Sequence, residues 1–168
     1  MPLRILALLC LGTALSSCAS PRESTELSQE AAAALSDTVR SVVHDYAAAF
    51  AVVNCQDYQP LLKFFDYSGA GFLEVSENAA TPYSGDAWPR VIREAVCSRD
   101  REELTVDSLL VRVHSPDLAS AAWTFRATYF DTSGTVRSSK GTALQVWHRT
   151  EEGWKTPLIM STHQATPR

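Results

Sequence analysis

The chain has 168 residues and a mass of 18.4 kDa, with 45% hydrophobic and 20% charged residues, a composition that suits one globular domain and leaves no room for a second core. Its 15 basic and 19 acidic residues give a formal charge of -4 and a pI near 5.5. The one local gathering of base, Arg90, Arg93, Arg99 and Arg101, is diluted by Glu94, Asp100, Glu102 and Glu103, so no nucleic-acid partner is expected: phosphate binding needs clustered Lys and Arg.

Arg4 precedes an uncharged apolar run over residues 5–15, too short to span a bilayer and shaped like a secretory signal. The run closes on Leu15-Ser16-Ser17-Cys18, which resembles the bacterial lipobox. That resemblance implies cleavage before Cys18, acylation of its thiol and a membrane anchor, and Ala19 in place of Asp implies the periplasmic face of the outer membrane. The expected organisation is a signal peptide over 1–17, a lipidated cysteine and polar tether over 18–27, and one domain over 28–168. Cys10 leaves with the signal, so Cys55 and Cys97 remain in an oxidising compartment, either as a disulfide or as two buried thiols acting as small hydrophobes.

Leu35, Val39, Val42, Val43, Tyr46, Phe50 and Val53 keep helical spacing, behind a cap at Ser28 or Ser36; His44 and Asp45 fall off the stripe and are expected to be exposed. Residues 54–57 break this helix, and a second, short one is expected over 58–65 with Asp57 as cap and Pro60 in its first turn. A strand follows over 72–77, then an irregular stretch over 78–85 holding Pro82 and Gly85. Asp86 caps a third helix carrying Pro89, with Trp88, Val91, Ile92, Ala95 and Val96 on one face, ending near residues 99–101. Residues 104–115 read as a strand with Leu109, Val111 and Val113 on one face and Arg112 and His114 on the other. Three more strands complete the chain. The first alternates Ala121, Trp123, Phe125, Ala127 and Tyr129 with Ser120, Thr124, Arg126 and Thr128; the second covers 141–147, and the third starts at Trp154 after the turn Glu151-Glu152-Gly153. The fold class is α+β, with three helical segments lying on one face of a curved, mostly antiparallel sheet.

This order of elements, with Gly141-Thr142-Ala143-Leu144-Gln145-Val146-Trp147 and the closing Gly153-Trp154-Lys155, resembles the nuclear-transport-factor-2-like (NTF2-like), or SnoaL-like, superfamily over residues 36–164. The resemblance implies a cone wrapped around the first helix, with a cavity at its open end and dimerisation through the sheet's other face. The expected lining is Tyr46, Phe50, Phe65, Trp88, Trp123, Phe125 and Tyr129, with Leu144, Leu158 and Met160 from the last strands. Trp88 and Tyr129 are expected at its edge, since a buried indole or phenol wants a polar partner.

Enzymes of this superfamily place Asp, His or Tyr in the cavity, commonly on the last strand. Period two from Trp154 puts Thr156, Leu158, Met160 and Thr162 inward here and leaves His163 on the surface, while Glu74 and Glu77 fall on opposite faces of their strand. No catalytic set, metal spacing, nucleophile elbow or phosphate loop is read, and no cofactor is expected. Three functions follow in order: binding of a small, largely apolar ligand in the cone; assembly, as a homodimer or with another envelope component, through an outer face bearing Arg126, Thr128, Arg137, Gln145 and Trp147; and a SnoaL-type isomerase, cyclase or hydratase drawing a proton from Tyr46, Tyr129 or His163.

Overall fold

A computed structural model describes residues 27–68, 71–76 and 79–165. The signal region, Cys18 and Glu77 lie outside the described residues. Helix α1 (Gln29–Ala49) is capped at Ser28, whose Oγ accepts a hydrogen bond from the Ala31 N–H at 3.2 Å; of the two candidate caps, the earlier one starts the helix. Its inward face is Val39, Val43, Tyr46, Ala47 and Ala49, and it lies across β3 and β4.

The break after α1 is built on Asn54, whose Oδ1 accepts from the N–H groups of Gln56 and Asp57 at 2.9 and 3.0 Å. Asp57 is therefore not the cap of α2 (Gln59–Leu62), whose N-cap position is Tyr58 with no side-chain cap, and the helix is shorter than expected. Asp86 likewise precedes α3 (Ala87–Cys97) without capping it; the Ser84 hydroxyl donates to its carboxylate instead. Cys55 and Cys97 are joined by a disulfide with Cα atoms 4.5 Å apart, tying the α1–α2 connection to the last residue of α3.

Six strands form one sheet in the order β2-β1-β6-β5-β4-β3: β1 (Phe72–Val75), β2 (Ala80–Tyr83), β3 (Arg101–Ser115), β4 (Leu118–Phe130), β5 (Val136–Thr150) and β6 (Gly153–Ala165). Among the strands of the described residues, β1 and β6 alone pair in parallel. The stretch expected to be irregular supplies β2, an edge strand. Pro82 is tolerated there because an edge leaves one side of the backbone without ladder partners.

Strand β4 turns Ala119, Ala121, Trp123, Phe125 and Ala127 inward, the expected phase. Directly paired residues share a face, so Trp123 opposite Ala143 and Ala121 opposite Gln145 bring Ala143, Gln145 and Trp147 inward too. This reverses the phase expected for β5. Gln145 and Trp147 are fully buried and not on the outer face, whereas Leu144 is 38% exposed. Gln145 is accommodated because its Oε1 accepts from the Trp123 indole N–H at 3.0 Å.

In β6 the inward phase changes along the strand. Trp154 and Thr156 are buried, but the pairing with β5 slips between Val146 opposite Leu158 and His148 opposite Lys155, leaving Thr156 and Pro157 together opposite Trp147. This bulge sits where Pro157 has no N–H to offer the ladder. Beyond it Leu158 and Met160 turn outward, and Ile159, Ser161 and His163 face the helices. Strand β3 slips in the same way between Val106 and Ser108, so Glu102, Leu104 and Val106 share the inner face with Leu109, Val111 and Val113.

Candidate functional site

The cone encloses a cavity of about 280 Å³. Tyr46 and Phe50 reach it from α1, Phe65 from the turn after α2, Trp88, Val91, Ile92 and Ala95 from α3, and Trp123, Phe125 and Tyr129 from β4. The Tyr46 ring is the hub of this wall, edge-on to Phe50 at 5.3 Å, Phe64 at 5.7 Å, Phe65 at 5.8 Å and Trp123 at 6.1 Å between ring centres. Trp88 stacks on Phe72 at 4.0 Å, which fixes the indole plane. Gly141 makes the close packing of β5 against its neighbours possible: a Cβ there would lie 2.1 Å from the Thr162 carbonyl oxygen and 2.5 Å from the Phe125 ring.

Seven of the eight residues expected to hold a ligand therefore stand around one cavity: Tyr46, Phe50, Phe65, Trp88, Trp123, Phe125 and Tyr129. Met160 does not. With Leu144 and Val75 it borders a shallow cleft on the opposite face of the sheet, because the bulge at Thr156 and Pro157 inverts its strand. Leu144 and Leu158, also expected inside, are turned out by the same pairing.

The lining also holds Glu74, Arg99, Glu102, Ser161 and His163. His163, expected on the surface, is exposed, and its ring also stands 5.1 Å from that of Phe125 at the cavity rim. Arg99, Tyr129 and His163 belong both to the cavity and to an adjoining depression of about 730 Å³ that carries Ser133, Ser138, Ser139, Asp131 and Arg137. That depression is the mouth.

Glu102 is the electrostatic centre of the cavity. It is 7% exposed, and burial lifts its carboxyl from the usual range to about 7, against the opposing pull of Arg99. Arg99 Nη1 stands 2.9 Å from Glu102 Oε2, yet off the direction of a hydrogen bond, and its guanidinium lies 5.4 Å from the centre of the Tyr129 ring. The contact with Glu102 is thus coulombic and leaves the oxygen's lone pairs open. Burial, reinforced by Glu102 and Glu74, pushes the Tyr46 phenol far up; burial and Glu102 raise Tyr129. Both phenols keep their protons at neutral pH. A carboxyl poised near 7 can give or take a proton, and it can hydrogen-bond in either state. Among the described residues no three His, Cys, Asp or Glu side chains gather to hold a metal.

Glu102 escapes a reading of the sequence that begins its strand at Leu104. Carrying the alternation of Val106 and Leu104 back two residues, to where the strand starts, puts Glu102 on the apolar face. For His163 the signal is Pro157, a residue that marks a bulge when it falls inside a strand.

No family model and no curated protein matches the sequence. Solved structures do match. A nuclear transport factor 2 (NTF2-like) superfamily protein from Salmonella enterica serovar Typhimurium superposes with a TM-score of 0.56, at 12% identity over 83% of this chain and 93% of that one. A hexachlorocyclohexane dehydrochlorinase, LinA type 2, gives 0.61 at 10% identity over 78% and 89%. The association domain of C. elegans CaMKII gives 0.60 at 13% identity over 79% and 98%. At these identities the likeness is one of fold: this chain adopts the NTF2-like cone, helices closed over one face of a curved sheet.

Proposed function

We propose that the domain binds a small, largely apolar molecule inside the cone, and does so at a membrane, held by lipid on Cys18. The observation that carries the first part is the cavity: seven aromatic side chains from four elements converge on one enclosed space whose mouth is polar. The anchor rests on the residue pattern over 4–18. Among the described residues no helix is long and apolar enough to cross a membrane. Native mass spectrometry of the protein purified from its own host tests the binding function, with an adduct of a few hundred daltons expected and an unliganded mass contradicting it. Cys18→Ala should shift the protein from the membrane fraction to the soluble one; unchanged fractionation would remove the anchor.

Self-association through the outer face of the sheet accompanies this reading. Leu110, Ala122, Leu144, Met160 and Val75 lie in register across five strands, with Leu110 68% exposed and Met160 41% exposed. An apolar row of this length on a free face fits a second copy of the chain. Leu144→Asp should halve the mass seen by light scattering if it closes a dimer, and an unchanged mass would dismiss it.

A second reading, SnoaL-type proton transfer, is favoured by Glu102 alone. It predicts that a molecule released from the cavity exchanges carbon-bound hydrogen for deuterium when returned to the protein in heavy water, and that Glu102→Gln abolishes the exchange. Equal exchange with and without the protein would exclude it.

A further inference from the structure

We infer that the molecule taken up by the cavity carries a neutral oxygen, a hydroxyl or a carbonyl, and that the Glu102 carboxyl is the group that hydrogen-bonds it. The inference rests on the ligand-binding reading above and adds the chemical class of the ligand.

Two polar atoms of the lining point to such an oxygen. Glu102 Oε2 is buried and accepts no hydrogen bond from the described residues, although Arg99 Nη1 is 2.9 Å away. Trp88, 4% exposed on the same lining, has an indole N–H with no acceptor among them. Buried polar atoms are nearly always hydrogen-bonded; the ion pair with Arg99 offsets part of the cost of burying Glu102 Oε2 but leaves its hydrogen-bonding capacity unused, and the Trp88 N–H has nothing in return for its lost bonds to water. A ligand oxygen supplies what the protein leaves open, while its carbon skeleton meets the aromatic wall.

Charge narrows the class further. The ionisable groups that share the cavity with Glu102 are Arg99 just after α3, Tyr129 on β4, Tyr46 on α1, Glu74 on β1 and His163 on β6. An anionic ligand would meet two carboxyl groups, and Arg99 is already held by Glu102. Arg137, at the mouth, is 74% exposed and lies 3.9 Å from Asp131. A cationic ligand would have to displace Arg99 from Glu102. A hydroxyl meets neither obstacle: it donates to the carboxylate and accepts from the carboxylic acid, so it is held in both protonation states of a group that titrates near 7.

Calorimetric titration of the full protein with naphthalene, 2-naphthol and 2-naphthoate tests this, since bicyclic probes suit a cavity just below the roughly 300 Å³ at which ligand pockets usually begin. At pH 7, 2-naphthol should bind about tenfold more tightly than naphthalene, the effect of one hydrogen bond, and 2-naphthoate no more tightly than naphthalene. Glu102→Gln should keep the ratio and Glu102→Leu should bring it to about one. Equal binding of naphthalene and 2-naphthol, tightest binding of 2-naphthoate, or a ratio unchanged in Glu102→Leu would each overturn the inference while leaving the apolar cavity in place. Absence of binding by all three probes would overturn the cavity reading and this inference with it. The wild-type ratio decides the matter by itself should Glu102→Leu fail to fold.

Discussion

Glu102→Gln should make the protein more stable at neutral pH, and the gain should vanish in acid. The carboxyl sits at about 7 in the folded protein against an ordinary 4.5, so the folded state binds its proton more tightly than the unfolded chain does. Stability derived from that proton is fully present below pH 4.5 and is lost as the pH rises toward and through 7. At 1.36 kcal/mol for each pH unit of displacement, ionising the buried group costs about 3 kcal/mol. Glutamine has the shape of the protonated acid and does not ionise, so it escapes that cost. Urea unfolding of wild type and Glu102→Gln from pH 4 to 8 isolates the effect, because every other titrating group cancels in the difference. The two proteins should differ little near pH 4, and the variant should be ahead by about 3 kcal/mol at pH 8. A difference that stays flat across this window would refute the burial argument and, with it, the placing of Glu102 at the centre of the cavity.

Trp123→Phe removes the indole N–H that Gln145 accepts and strands a fully buried carboxamide; urea unfolding should show a loss of about 2 kcal/mol, and a change under 0.5 kcal/mol would mean that Gln145 finds another partner. Gly141→Ala forces a methyl group against the Thr162 carbonyl and the Phe125 ring, so a loss of about 3 kcal/mol, or roughly 10 °C in thermal melting, is expected; a melting point unmoved would show that β5 and β6 can separate freely there. The Cys55–Cys97 bridge closes a loop of 42 positions, worth about 4 kcal/mol on the chain-entropy account. Unfolding with and without reductant should differ by that order, and alkylation without reductant should leave both thiols unlabelled.

Apart from the edge strand β2, the order of elements, the α+β layering and the aromatic wall were legible, because they rest on strong local signals. Trp123 and Phe125 alternate with polar neighbours, and Val39, Val43 and Tyr46 keep helical spacing. The phase of β3 was legible from Leu109 to Val113 but not before its bulge, and the phases of β5 and β6 were not legible, each for a physical reason. In β5 both faces are apolar, Ala143 and Trp147 on one and Leu144 and Val146 on the other. Hydrophobicity alone favours burying the leucine, and only the bond from Trp123 across the strand pair makes room for Gln145 inside. In β3 and β6, bulges at Val106–Ser108 and opposite Trp147 invert the alternation midway. A one-residue slip moves every later side chain to the other face, which is why Met160 left the expected lining and His163 joined it. The most consequential polar group, Glu102, was hidden by a strand start placed three residues late.

Ala95 offers the most direct test of the account. It is half-buried on α3 and lines the cavity, so Ala95→Phe should fill the space without disturbing the strands. Calorimetric titration with naphthalene should give one saturable site per chain in the wild type and none in the variant, at equal melting temperature. Binding of equal affinity in both proteins would place the ligand elsewhere and contradict the cone as the binding site.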